Sequence, residues 1–273
     1  MIEILSLPFM QKAFIAGIML AAPLAFLGVY STLKKASFFG DGVAHASLSG
    51  IALGILTGVS PFGMAIIVGA LFGAGVYFLE RKTSVSSDSI IGILFTGGMA
   101  LGIILLNLKQ GYQPELISFL FGNILTIHAS DLVLIIGLGV GIIVFLSIVY
   151  RRLALLVLDK DEAWLTGIPT SGLELVFYVV LSISIVLGVK LLGIILVSAL
   201  LIIPAASAKL LSKSFRKLVL LSILIGEIVV IGGLILSYYL DFPSGAVIIL
   251  TGVGLFCLIA AWDGFRKITK EKS

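Results

Sequence analysis

Residues 42–79 read GVAHASLSGIALGILTGVSPFGMAIIVGALFGAGVYFL and contain no Asp, Glu, Lys or Arg. A membrane helix needs about 20 mostly apolar residues to cross about 30 Å of hydrocarbon, so this stretch is too long for one crossing. The turn signal Gly58-Val59-Ser60-Pro61 lies near its middle and predicts two helices joined by a short turn. The stretch therefore predicts an all-α integral membrane protein that crosses the bilayer several times.

The composition of the whole chain agrees with this prediction. Of the 273 residues, 60% are hydrophobic and only 12% are charged, and the mean hydropathy is +1.25. A soluble globule of 28.8 kDa cannot cover that much apolar surface. The composition excludes a disordered chain, a disulfide scaffold and a nucleic-acid-binding protein. No Walker A loop, HExxH motif or CxxC pair occurs, so we expect the chain not to be an enzyme.

Further apolar runs of crossing length occur along the chain. The run Leu175–Ala208 is interrupted only by Lys190 and predicts two crossings joined near Lys190–Gly193. Leu116–Ser130 is too short to cross and predicts an interfacial or re-entrant helix. Single crossings are predicted at residues 13–33, 89–108, 132–150, 218–240 and 242–262. The total is about nine helices, with eight as the alternative, in one polytopic membrane domain over residues 1–273.

Basic residues are distributed unevenly among the predicted loops. If the loops after the first, third, fifth and seventh spans share a side with the C-terminal tail, that side holds fifteen of the 18 Lys and Arg residues. The other side holds the remaining three, which are Lys12, Lys109 and Lys190. Because cytoplasmic loops are enriched in Lys and Arg, this bias predicts an outside N-terminus and a cytoplasmic C-terminus. It also predicts that residues 151–172 are cytoplasmic.

The second predicted span begins with ionisable residues. Asp41, His45 and Ser49 are spaced by four, which places them on one face of a helix. An oxygen and a nitrogen ligand together suit Mn²⁺, Fe²⁺ or Zn²⁺ better than Ca²⁺ or Mg²⁺. Asp41 also follows Gly40 at the helix start, so an N-cap role is the alternative and is compatible with metal binding.

A stripe of small residues runs along the same span at a spacing of four. It consists of Gly42, Ala46, Gly50, Gly54 and Gly58. In lipid, helices associate through close packing, and small residues allow two backbones to approach each other. We therefore expect Gly50, Gly54 and Gly58 to pack against a neighbouring helix.

Two later spans carry features that are unusual in an apolar helix. Pro204 lacks the N–H that would bond the carbonyl of Leu200, so it predicts either a pathway-lining site together with Ser198 or an ordinary kink. Glu227 stands alone in mid-span, where a carboxylate costs about 2.5–3.5 kcal/mol on insertion scales. It is expected to face protein or water or to be protonated, and a structural pairing and a transport role both stay open.

The longest predicted cytoplasmic segment, residues 151–172, contains a short helix pattern. Its core reads LDKDEAWLTGIP over residues 158–169. Asp161 and Glu162 lie early, Trp164 and Leu165 are apolar, and Gly167 provides a stop. The segment is either a helix that docks a partner or a solvated connector.

Three of these features resemble the membrane subunits of ABC importers for zinc, manganese and iron. Gly40–Ala46, GDGVAHA, is similar to the family's Gly-Asp-x-x-x-His-Ala motif, although Gly42-Val43-Ala44 replaces the more usual Ala-Leu-Ser. Asp159–Pro169 is similar to the family's cytoplasmic segment, and Leu196–Ala206, LVSALLIIPAA, to its Leu-Val-Ser-Ala-Leu-Leu-Ile-x-Pro-Ala run. The resemblance covers roughly Phe9 to Trp262.

The resemblance implies a homodimeric permease with a type II ABC importer fold in the prokaryotic cytoplasmic membrane. It implies two copies of a cytoplasmic ABC ATPase and an extracytoplasmic metal-binding protein as partners, membrane lipid around the chain, and no permanently bound cofactor. The cargo would be a zinc, manganese or ferrous ion. Asp41 and His45 would bind this ion. The candidates for the rest of the pathway are Ser49, Ser198, Pro204 and Glu227. Coupling to the ATPase would involve Asp159, Asp161, Glu162, Trp164, Leu165 and Gly167.

Two other functions remain open at this point. One is a permease for a chelated metal or a cobalamin-type substrate. The other is a secondary carrier coupled to protons through Glu227 and His45. A carrier works alone, whereas the ABC permease requires its ATPase.

Overall fold

A computed structural model of the chain describes residues 6–108 and 129–271. Within these ranges the regular secondary structure is helical throughout, without a strand. Nine of the described helices are long and apolar enough to cross a membrane, which confirms the predicted fold class and number of spans. The helices are α1 Pro8–Leu33, α2 Phe39–Thr57, α3 Pro61–Lys82, α4 Ser87–Asn107, α5 Ala129–Leu158, α6 Lys160–Leu165, α7 Thr170–Leu192, α8 Ile194–Leu211, α9 Phe215–Leu240 and α10 Ser244–Glu271.

The charge-free stretch of residues 42–79 divides where its turn signal lies. Helix α2 ends at Thr57 and is followed by Gly58, whose φ of 72° is a left-handed conformation that glycine adopts without a steric penalty. Helix α3 begins with Pro61, whose missing N–H is not needed in a first turn. Ser60 caps α3 by accepting a hydrogen bond from the N–H of Gly63 at 3.2 Å. The prediction of two helices in this stretch is confirmed.

The run around Lys190 also divides into two helices. Helix α7 has 23 residues and α8 has 18, and a single residue, Gly193, separates them. Gly193 has a φ of 82°, which residues with a side chain rarely adopt. Each helix is long enough to cross the bilayer, so the structure favours nine spans over eight.

The predicted ends of two spans are wrong, because α10 continues past Trp262 to Glu271 and the fifth span is also longer than predicted. The sequence predicts that the span starting at Leu132 ends at Tyr150, but α5 continues to Leu158 and includes Arg151 and Arg152. Both arginines are exposed, and arginine is a good helix former, so the end of an apolar run is not the end of a helix. Of the predicted short helix Leu116–Ser130, only Ala129 and Ser130 are described, as the first residues of α5; residues 116–128 lie outside the described ranges.

The described helices form two compact units. The first unit contains most of α1, the first part of α5, most of α8, and α9 and α10. The second unit contains α2, α3, α4, α6 and α7, together with the rest of α5 and the first turn of α8. Both the Asp41 motif and the segment 159–169 therefore belong to the second unit.

Small residues bring α2 close to two neighbours in the second unit. A Cβ atom at Gly50 would lie 2.6 Å from the carbonyl oxygen of Met64, and one at Gly54 would lie 2.5 Å from the Cα of Pro61. On α4, a Cβ at Gly98 would lie 2.8 Å from the Cβ of Ala46. The stripe therefore packs against the backbone of α3 and lies beside α4, as the sequence predicts for Gly50 and Gly54.

Gly58 has a different role from the one predicted for it. Among the described residues, no atom lies within 4 Å of a Cβ built at Gly58. Its left-handed backbone ends α2, so this glycine is needed for the turn and not for helix packing.

The close approach of α2 and α4 generates a stability prediction. Gly98→Ala adds a methyl group against Ala46, and overpacking of this kind costs about 1–3 kcal/mol. We expect a lower melting temperature for the detergent-solubilised variant. Gly97→Ala on the same helix is the matched control, because its Cβ has no neighbour within 4 Å among the described residues. Equal melting temperatures for the two variants would contradict the packing described above.

The orientation predicted from the basic residues can be tested at two exposed sites. Val59, in the α2–α3 turn, is 53% exposed, and Thr166, after α6, is exposed. In a Cys257→Ser background, Val59→Cys should react with an impermeant maleimide in intact cells, whereas Thr166→Cys should react only after permeabilisation. The reverse pattern would mean that the N-terminus is cytoplasmic.

Candidate metal site

Asp41 and His45 line one cavity in the second unit. The cavity has a volume of about 440 Å³ and lies between the N-terminal halves of α2 and α4. Both side chains reach it because α2 is helical through this motif, so a spacing of four places them on one face. The lining residues are Phe38, Asp41, Gly42, His45, Asp88, Ile91, Gly92 and Phe95.

Asp41 is not the N-cap of α2, and that interpretation is wrong. The helix begins at Phe39, the N-cap is Phe38, and no side chain caps the first turn. The Oδ1 atom of Asp41 instead accepts a hydrogen bond of 2.6 Å from the hydroxyl of Ser198, which is 8% exposed. A carboxylate has about four lone-pair sites, so one hydroxyl donor fixes its position and leaves it able to bind a cation.

The ring of His45 is held in place by an aromatic neighbour. It packs edge-to-face on Phe95, with the ring centroids 5.2 Å apart and the planes at 80°. Its Nδ1 atom is buried and has no hydrogen-bond partner within the part of the chain that the structure describes. Buried polar atoms almost always have a partner, so an unpaired imidazole nitrogen calls for an explanation. Metal coordination provides one, because neutral imidazole is a common metal ligand.

Asp88 also lines the cavity, although the sequence analysis did not single it out. It is the second residue of α4, one turn before the lining residue Ile91. The sequence feature that could have indicated Asp88 is an acid in the first turn of an apolar span. This feature is weak evidence for a site, because helix dipoles favour acids at this position in most proteins. Among the described residues, no three His, Cys, Asp or Glu side chains come close enough to hold one metal ion. Asp88 therefore contributes negative charge to the cavity without completing a three-ligand site.

The other pathway candidates differ in their surroundings. Ser198 contacts Asp41, but Ser49 is only 2% exposed and donates its hydroxyl to the carbonyl of Ala46 at 2.7 Å. Pro204 in α8 and Glu227 in α9 belong to the first unit and do not line the cavity. The Oε2 atom of Glu227 is buried and has no partner among the described residues. The structure therefore joins one of the four candidates to the Asp41–His45 pair.

The segment 159–169 folds as the short helix α6 that the sequence predicts. The Oδ1 atom of Asp159 caps it by accepting hydrogen bonds from the N–H groups of Asp161 and Glu162, at 3.1 and 3.0 Å. Gly167, with a φ of 77°, follows the helix end. Trp164 is 70% exposed and Leu165 is 76% exposed, so two large apolar side chains at adjacent positions are open to a partner.

The second unit thus places a carboxylate and an imidazole in one cavity beside helices that are apolar enough to cross a membrane. Ionisable residues in such helices are typical of transport proteins. Residues 6–263 match the ABC 3 transport family, and the chain belongs to that family. The family predicted from the motifs is thereby confirmed.

Named relatives cover nearly the whole chain. The manganese transport system membrane protein MntC of Halalkalibacterium halodurans is 33% identical over 94% of this chain and 88% of its own length. The high-affinity zinc uptake system membrane protein ZnuB of Haemophilus influenzae is 31% identical over 90% of this chain and 94% of its own length. The solved structure of PsaBC from Streptococcus pneumoniae in complex with Fab superposes with a TM-score of 0.81 at 30% identity and covers 94% of this chain and 93% of the other. The predicted permease fold is confirmed.

Proposed function

We propose that this chain is the permease subunit of an ATP-driven ABC importer that moves a divalent transition-metal ion into the cell. The observation that carries the proposal is the cavity that Asp41 and His45 share at the start of α2. A bare divalent ion cannot cross hydrocarbon, so a permease must replace its hydration shell with ligands that also release it. One carboxylate and one imidazole per chain offer such incomplete coordination, and a homodimer would offer twice as many ligands.

The cargo we propose is Mn²⁺, Zn²⁺ or Fe²⁺. Carboxylate oxygen and imidazole nitrogen suit these ions. MntC is named for manganese and ZnuB for zinc, and neither name refers to a chelate, which favours a bare ion over a chelated metal or cobalamin. The negative charges of Asp41 and Asp88 would attract such an ion into the cavity.

Helix α6 is the proposed contact with the ATPase. Trp164 and Leu165 are exposed beside the acidic Asp161 and Glu162, an arrangement that suits a helix lying in an apolar groove with central anchors. In the orientation predicted from the basic residues, α6 is cytoplasmic, where two ATPase subunits would bind a permease homodimer. A metal-binding protein on the outer side of the membrane would deliver the cargo.

Neutralising Asp41 tests the metal site directly. Asp41→Asn retains an oxygen that can accept the Ser198 hydrogen bond but removes the charge, so we expect uptake of Mn²⁺ and Zn²⁺ to fall on the order of tenfold or more, as for loss of about 1.4 kcal/mol of binding free energy. His45→Ala should be equally impaired. Initial uptake rates in a deletion strain complemented with each variant measure the effect.

Asp263→Asn is the control for these two variants, because it removes an acid that pairs with Lys267 on α10 and does not line the cavity. It should transport normally. If Asp41→Asn and His45→Ala also transported at wild-type rates while inserted normally, the pathway would lie elsewhere, with Glu227 and Pro204 as the next candidates.

The docking role of α6 is tested with a matched pair of tryptophans. Trp164→Ala or Leu165→Asp should leave the permease inserted but weaken co-purification of the ATPase and stop uptake, because truncating an interface anchor costs about 2 kcal/mol or more. Trp262→Ala is the control, since Trp262 is 69% exposed on α10 and lies outside α6. Normal assembly of both α6 variants would make the segment a solvated connector.

A further inference from the structure

A buried carboxylate near the start of α7 is paired with two lysines from different elements. Glu174 is 5% exposed. Its Oε1 atom pairs with the Nζ of Lys34, and its Oε2 atom accepts from the Nζ of Lys160 at 2.9 Å. Glu174 is not conspicuous in the sequence, because it immediately precedes the apolar run that begins at Leu175.

The two lysines lie at functionally distinct places in the second unit. Lys160 is the first residue of α6, the helix with the exposed Trp164 and Leu165. Lys34 immediately follows α1 and lies in the short connection that leads into α2. The Glu174 carboxylate therefore links α6 to the connection that leads into α2, the helix that carries Asp41 and His45.

A second set of contacts holds the start of α2 against α7. Phe39, the first residue of α2, packs against the ring of Tyr178 with the centroids 5.3 Å apart. The Nζ of Lys34 lies 4.9 Å from the centre of the same ring. The Tyr178 hydroxyl donates to the carboxylate of Glu80 on α3, at 2.8 and 3.0 Å, which fixes the ring. Asp41 follows Phe39 by two residues, so a displacement at Glu174 acts close to the metal site.

Loss of a single partner from the cluster of Glu174, Lys34 and Lys160 is energetically costly. Removing one partner of a buried ion pair leaves a charge without compensation, whereas moving all the partners together preserves the pairing. The side chain of Glu174 is 6% exposed, that of Lys34 is 15% exposed and that of Lys160 is 55% exposed, so water can replace Lys160 more easily than Lys34. A movement of α6 thus either shifts Glu174 and Lys34 with it or separates Lys160 from the cluster.

We propose that Glu174 is a positioning residue that transmits movement of α6 to the start of α2, and through it to Asp41 and His45. The inference rests on the proposed function, because it requires α6 to contact the ATPase and α2 to bind the metal ion. Its consequence is specific. Loss of either lysine or of the carboxylate uncouples ATP hydrolysis from transport while the docking residues Trp164 and Leu165 remain in place.

The experiment uses the full permease–ATPase complex in proteoliposomes supplied with its metal-binding protein. Three quantities are measured: ATPase retained on purification, ATP hydrolysed, and Mn²⁺ or Zn²⁺ ions transported per ATP. For Glu174→Gln, Lys34→Gln and Lys160→Gln we expect normal ATPase retention and a fall in ions per ATP of at least about fivefold, in the range of coupling between linked sites. Lys160→Arg, which keeps the ion pair, should restore the ratio.

Lys267→Gln is the matched control, since it breaks an ion pair of 2.6 Å with Asp263 on α10, where the Lys267 side chain is 72% exposed, and should leave the ratio unchanged. Lys34→Gln is the decisive variant, because Lys34 lies outside α6 and a pure docking role for Lys160 predicts no effect there. It also keeps the test valid if Glu174→Gln does not fold.

An unchanged ratio in Lys34→Gln and Lys160→Gln would overturn the proposal. So would loss of the ATPase from Lys34→Gln, because the cluster would then support the docking surface and would not transmit movement. Failure of the proposed function has a different signature: either the wild-type complex transports neither ion, or Trp164→Ala still retains the ATPase and transports. In the first case the proposed function and the coupling role of Glu174 are both overturned. In the second case α6 does not dock the ATPase and is not the source of the movement.

Discussion

The closeness of α2 to its neighbours is the condition on which the second unit depends. Hydrocarbon offers no water to satisfy polar groups, so a carboxylate or an imidazole within a span must face the protein interior or a cavity and not lipid. The glycines of α2 remove the side-chain volume that would keep α3 away, and Gly98 does the same on the side of α4. With the backbones this close, Phe95 can pack edge-to-face on His45, and the cavity can form between the N-terminal halves of α2 and α4.

The sequence predicted those parts of the structure that depend on local spacing. Run length predicted the nine spans found in the described ranges, and a spacing of four predicted that Asp41 and His45 lie on one face of α2, where both line the cavity. Pairings between distant residues could not be predicted in this way. Ser198 and Asp41 were both candidates, yet nothing in a sequence indicates that they bond to each other. Asp88 and Glu174 were missed because each lies at the edge of an apolar run, where an acid is ordinary.

Similarity to named relatives defines the family but does not choose the cargo. A manganese protein and a zinc protein match this chain at 33% and 31% identity over nearly its whole length. An oxygen and a nitrogen ligand accept either ion, and selectivity among such ions depends on geometry and availability more than on intrinsic affinity. In the proposed site, the choice would depend on the ligands that complete the coordination beyond Asp41 and His45 and on the availability of each ion.

The three-residue turn between α2 and α3 has a consequence for the order in which the chain folds. Gly54 and Pro61 are close in sequence, so their backbones can meet as soon as both helices have been synthesised, with little loss of chain entropy. Ser198, in contrast, is translated long after Asp41, and their hydrogen bond must close a large loop. During N-to-C synthesis the α2–α3 hairpin can thus be assembled in the bilayer first. Helix α2 can therefore dock on α3 before Ser198, whose hydroxyl orients the Asp41 carboxylate, has been synthesised.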